Sequence, residues 1–176
     1  MASSKDGVET SKLLKAKDFE AQGTKFLNEG KFKAANDMYQ KILDTLGGKE
    51  MGHHHETERK DLIQAGRLDI ALCQMKMKEW KKAKSTCSKI IKTNNDVVKA
   101  FNRRGECYMN LKQLDEAIND FSNVVRIEPT NQAAINHLSE CVEQKKAGLL
   151  RRSEQLELKI AINLQLLLLL QIDDLK

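Results

Sequence analysis

Proline is almost missing from this sequence: there is one, Pro129, in 176 residues. Aromatic residues make up 5%, and glycines number nine. An all-β sandwich needs frequent turns and strands rich in β-branched and aromatic side chains, so that class is excluded. The four cysteines, Cys73, Cys87, Cys107 and Cys141, never fall at C-x-x-C spacing. They read as reduced helix-packing residues rather than disulfides or metal ligands. Neither charge sign gathers into a long run: 30 basic and 25 acidic residues are interspersed, leaving a net charge of +5. That pattern suits solvated helices, and without aromatics interleaved among the cations it does not suit a nucleic-acid face. There is no phosphate-cradling glycine loop, no H-E-x-x-H and no nucleophile elbow, so neither catalysis nor a cofactor is expected. No apolar stretch opens the chain to act as a secretory signal, which makes the cytoplasm, and also the nucleus, the expected location.

What is present is a repeat. Gly23, Ala71 and Gly105 open three copies of one pattern, followed twelve residues on by Ala35, Ala83 and Ala117. Tyr39, Cys87 and Phe121 come four residues later, then Ile42, Ile90 and Val124 after three more. Gly105 lies 34 residues after Ala71, which is the period of the tetratricopeptide repeat, a pair of antiparallel helices. Ala71 lies 48 residues after Gly23, so an insertion of 14 residues falls around Gly47–Glu56. The spacing predicts an all-α fold of three helix-turn-helix units, wound as a right-handed superhelix. The expected divisions are a flexible 1–10, a first unit over 11–46, an insertion loop over 47–56, a second unit over 57–95 and a third over 96–129. First helices are expected near 11–29, 57–78 and 97–111, and second helices near 32–46, 80–93 and 114–127. His53, His54 and His55 sit in the insertion, where adjacent loop residues make poor preorganised ligands; no metal is expected.

A terminal unit leaves an apolar face uncovered, and residues 130–176 are expected to cap it with a long helix. Ala133, Ala134, Leu138, Cys141 and Val142 supply the helical spacing. From Leu156 to Ile172 every even position is apolar, an alternation that fits a strand, whereas the residue types favour a helix. The helical reading is adopted, with no membrane span and with self-association through this leucine-rich tail as one use for it.

The first helices of stacked pairs line a concave groove. Aligning the copies puts Lys17, Glu20, Thr24 and Asn28 there, with Asp69, Leu72 and Lys76 from the second copy and Lys99, Asn102, Arg103 and Glu106 from the third. Lys99 and Arg103 are one helical turn apart and share a face, which suits them to a carboxylate.

The runs Leu68–Met77, Lys99–Gly105 and Ala117–Phe121 resemble the tetratricopeptide domain of the large immunophilins, the FK-binding and cyclophilin-type prolyl isomerases. That resemblance implies a co-chaperone module with no isomerase domain of its own. It also implies a carboxylate clamp for the acidic C-terminal tail of heat-shock chaperones. Of the clamp, only Lys99 and Arg103 carry over. The family's first lysine position holds Glu20, the first asparagine position Thr24, and the second Asp69. Two acids where the family's ligand brings carboxylates imply weak binding of that tail. The reading is therefore a non-catalytic adaptor for a protein or peptide partner. Its alternatives are the interaction domain of an isomerase co-chaperone that still binds the ninety-kilodalton heat-shock chaperone, and a self-associating scaffold.

Overall fold

The computed structural model describes residues 2–48, 51–94 and 97–173, with side chains over 6–166 of these. Seven helices follow one another: α1 Ala2–Asn28, α2 Phe32–Leu46, α3 His53–Lys76, α4 Trp80–Thr93, α5 Val98–Asn110, α6 Leu114–Ile127 and α7 Gln132–Asp173. No strand occurs among the described residues.

The pairing follows from one packing device. On α2 the buried residues Ala35, Tyr39, Ile42 and Leu46 fall at helical spacing, and α4 and α6 repeat it with Ala83, Cys87, Ile90 and Ala117, Phe121, Val124. The large member of each set meets a small residue on the preceding helix. A Cβ placed on Gly23 would lie 2.8 Å from the Tyr39 ring, and one on Gly105 would lie 2.7 Å from the Phe121 ring. At the corresponding place the second unit has Ala71 and Cys87, both with no exposure. A methyl more on one helix is matched by an aromatic ring less on the other, which holds interior density constant.

Each unit turns at one left-handed residue: Gly30 at φ +73°, Lys78 at +60° and Lys112 at +60°. Neighbouring helices pack in sequence, and α1 also touches α3 as α3 touches α5, so the first helices form the inner layer. Pro129 follows α6, and the Asn131 Oδ1 accepts the Ala134 amide at 3.1 Å, capping α7.

Two expected boundaries change. The first helix begins at Ala2 and leaves no flexible 1–10 segment among the described residues; the third begins at His53, inside the expected loop. Long-range contacts explain both. The Glu9 Oε2 accepts the Gly52 amide at 2.9 Å, and His55 Nε2 lies 3.0 Å from Asp6 Oδ1. Buried Arg59 donates to the Leu46 carbonyl at 2.8 Å and the Gly48 carbonyl at 3.2 Å, satisfying carbonyls that the end of α2 leaves open. The last part of the insertion, His53–Glu56, thus becomes the first turn of α3, clasped against α1.

The tail is helical, and α7 runs unbroken through Gly148. Its first turns bury Ala134 and Cys141 against the third unit, while every described side chain from Leu149 onward is exposed. No helix among the described residues is long and apolar enough to cross a membrane.

Candidate groove for a peptide ligand

α1, α3 and α5 bring the expected groove residues to one wall. Arg103 donates to the Leu68 carbonyl and holds Asp69 Oδ1 at 4.0 Å. This guanidinium is therefore engaged across the second unit before any ligand arrives. Asp69 is half-buried; desolvation pushes its carboxyl above the ordinary range, while Arg103 and Lys99 oppose the rise. Lys99 is exposed and, among the described residues, has no hydrogen bond or ion pair, which leaves it as the available cation.

Further along, burial pushes the Glu106 carboxyl up against the pull of His137, Arg103 and Lys76. His137 sits on the capping helix. It comes from α7, stacks on Phe121 with ring centroids 5.1 Å apart, and so joins the groove's far end. Lys76 is exposed at the last position of α3.

At the near end the Thr24 Oγ1 lies 3.3 Å from the Tyr39 hydroxyl. Burial raises the Tyr39 phenol, with Asp69, Cys73 and Glu20 adding to the rise, so these groups surround one spot. Lys17 is already engaged: its Nζ pairs with Glu58 Oε1 across the groove at 2.5 Å. Glu20 instead faces a cleft of about 440 Å³ between α1 and α3. Glu58 and Asp61 also line it, and they are groove residues that the sequence reading passed over. Their signal was available, since residues 58, 61, 65 and 69 fall on one helical face. Asn28 is exposed and Asn102 half-buried, and neither hydrogen-bonds to the other groove residues.

Beneath the wall the third unit is locked by a buried ion pair. Arg104 grips Asp120 with two bonds of 2.7 Å each, and Asp120 is 1% exposed. All four cysteines are buried and free. Burial raises the thiols of Cys87 and Cys107 to about 12 and that of Cys73 to about 11, which removes thiolate chemistry from this surface.

Comparison with known proteins agrees with this architecture. The tetratricopeptide repeat pattern matches residues 66–94 and 98–131, so the chain carries such repeats. It is 30% identical over 153 residues to FK506-binding protein 59 of Drosophila melanogaster, covering 87% of this chain and 33% of that protein. The chain therefore spans about a third of the length of such relatives. Among solved structures it is similar to the C-terminal TPR-containing domain of a Plasmodium falciparum FK506-binding protein, with TM-score 0.71 and 25% identity, covering 80% of this chain and 94% of that one. It is also similar to the first TPR of Spaghetti bound to the HSP90 peptide SRMEEVD, with TM-score 0.63 and 26% identity, covering 76% and 94%.

Proposed function

We propose that this chain is a non-catalytic adaptor that holds a peptide segment of a partner protein along α1, α3 and α5. The observation that carries the reading is the convergence of Asp69, Lys99 and Arg103, from two different repeats, on one inner wall. Similarity to immunophilin tetratricopeptide domains and to an HSP90-peptide complex supports a chaperone tail as one ligand. The groove's own charges set how well such a tail fits. Glu20 and Asp69 stand where carboxylates would arrive, and each repulsive contact costs on the order of 1–3 kcal/mol when desolvated. Arg103 must also exchange its hold on Leu68 and Asp69 for the ligand. Weak binding of the acidic tail follows.

Fluorescence anisotropy with labelled SRMEEVD tests this. Affinity weaker than low-micromolar is expected, and a low-micromolar complex abolished by Arg103→Ala refutes the weak-clamp reading. Whether a partner isomerase domain adjoins this module is answered by the sequence upstream in the parent transcript.

A second reading rests on α7. Leu149, Leu156, Leu158 and Leu164 are 56–64% exposed, and apolar residues stand on opposite sides of the rod. A helix apolar on both sides and covered by nothing in its own chain suits self-association. Light scattering with and without the residues after Arg152 decides it: an unchanged monomer mass rules it out.

A further inference from the structure

The cleft between α1 and α3 has not been given an occupant. Its floor is apolar, made by Leu62 and Ala65, and its rim carries Glu20, Glu58 and Asp61. Lys17 neutralises Glu58. Among the described residues Glu20 and Asp61 have no hydrogen bond or ion pair, so two unpaired carboxylates face one open cleft that Lys17, held on Glu58, and His54 also line. Asp69 continues the acid along the same face of α3, and only beyond it do Lys99 and Arg103 begin. The groove thus sets unpaired acid over an apolar floor at the α1–α3 end and an available lysine on α5, with Glu106 beyond that lysine.

We infer that the ligand is a zwitterionic peptide segment, placing a lysine or arginine side chain in the α1–α3 cleft and a carboxylate on Lys99. The methylene stem of such a side chain would cover Leu62 and Ala65 while its head reaches Glu20 and Asp61, the way long cationic side chains divide between apolar and polar surroundings. Charge complementarity of this kind selects partners chiefly by rejecting wrong ones, and a peptide with no basic side chain to place in the cleft is the partner rejected here. The inference rests on the groove-binding reading and names the ligand class for it.

The test uses labelled ten-residue peptides with a free C-terminal carboxylate, in which one arginine is scanned through the preceding nine positions, each paired with its glutamine counterpart. Anisotropy is read with the full chain. At the best position the arginine peptide is expected to bind at least about tenfold tighter than the glutamine peptide, and the difference should fall below about twofold in the Glu20→Gln, Asp61→Asn double variant. Asp61 is exposed and Glu20 half-buried, and equal melting temperatures show that the variant is folded; if they differ, the two single variants are used, each expected to lose part of the preference. An arginine preference that is absent, or that survives the double substitution, overturns the inference. It leaves the groove reading standing if Lys99→Ala still weakens peptide binding. Failure of every peptide to bind overturns both.

Discussion

Lys17 in the first repeat and Lys99 in the third occupy the same position of the same pattern, six residues before Gly23 and Gly105, yet they have different fates. Lys17 is spent on Glu58 at 2.5 Å, while Lys99 stands free of hydrogen bonds and ion pairs among the described residues. The difference lies across the groove. The lengthened α3 brings Glu58 to Lys17, and the half-buried Asp69 beside Lys99 already has Arg103. A cation's availability is set by the helix opposite, not by the helix that carries it. The interiors of these two repeats differ in the same way. The third repeat buries Arg104 on Asp120, whereas the matching first-repeat positions hold Gln22, which bonds Asp18 on its own helix at 2.8 Å, and Met38.

The strongest way to break this comparison is to remove the buried acid. Asp120→Ala leaves Arg104 partly buried without its counter-charge, and a loss of about 3–5 kcal/mol is expected in urea unfolding. No first-repeat substitution at Met38 leaves an unpaired charge, so its cost should be the smaller. A second test treats the repeats alike. Gly23→Ala and Gly105→Ala each push a methyl against a buried ring, and both should destabilise by about 1–3 kcal/mol, less a gain of up to about 1 kcal/mol in helix propensity. A stabilised Gly105→Ala would mean that the Phe121 ring yields easily.

The third test sharpens the groove half of the comparison. Asp69→Asn removes a repelling charge and restores an amide donor, so acidic peptides should bind about five- to thirtyfold tighter. Burial raises the Asp69 carboxyl, so the folded chain keeps that proton to higher pH than the unfolded chain does. Stability from this group is therefore greatest at acid pH and declines as pH climbs from the ordinary carboxylate range through the raised folded value. Acidic-peptide affinity should likewise rise as pH falls through the raised Asp69 value towards the ordinary carboxylate range, and this response should shrink in Asp69→Asn. An equal response in both proteins would assign it to the peptide. The smallest effect concerns the turns: Lys78→Gly and Lys112→Gly relieve a left-handed backbone that Gly30 adopts without strain, and each should gain up to about 1 kcal/mol.

The repeat architecture was legible in the sequence because its signal is local and periodic: small residues, then an aromatic or cysteine, then a branched aliphatic, at fixed offsets. The starts of α1 and α3 were not, because the contacts that extend them join residues 43 and 49 positions apart, Glu9 to Gly52 and Asp6 to His55. The groove residues were legible as a face, but not as pairs. Nothing in the spacing shows that Lys17 belongs to Glu58 or that Arg103 spends its donors on Leu68. Such partners are set by how adjacent units stack, which is a property of side-chain fit between repeats. The surroundings of His137 were hidden, since a capping helix has no counterpart in the repeat pattern.

That capping helix carries a mechanical consequence. Its 42 residues make a rod of about 63 Å, and the turn bearing His137 beside the groove belongs to the same rod as the uncovered leucines beyond Gly148. With no loop between them, the exposed arm extends directly from the seat of Ala134 and Cys141, the two anchors that flank His137. A load on the distal arm is therefore borne first by the packing of Ala134 and Cys141 on the third repeat.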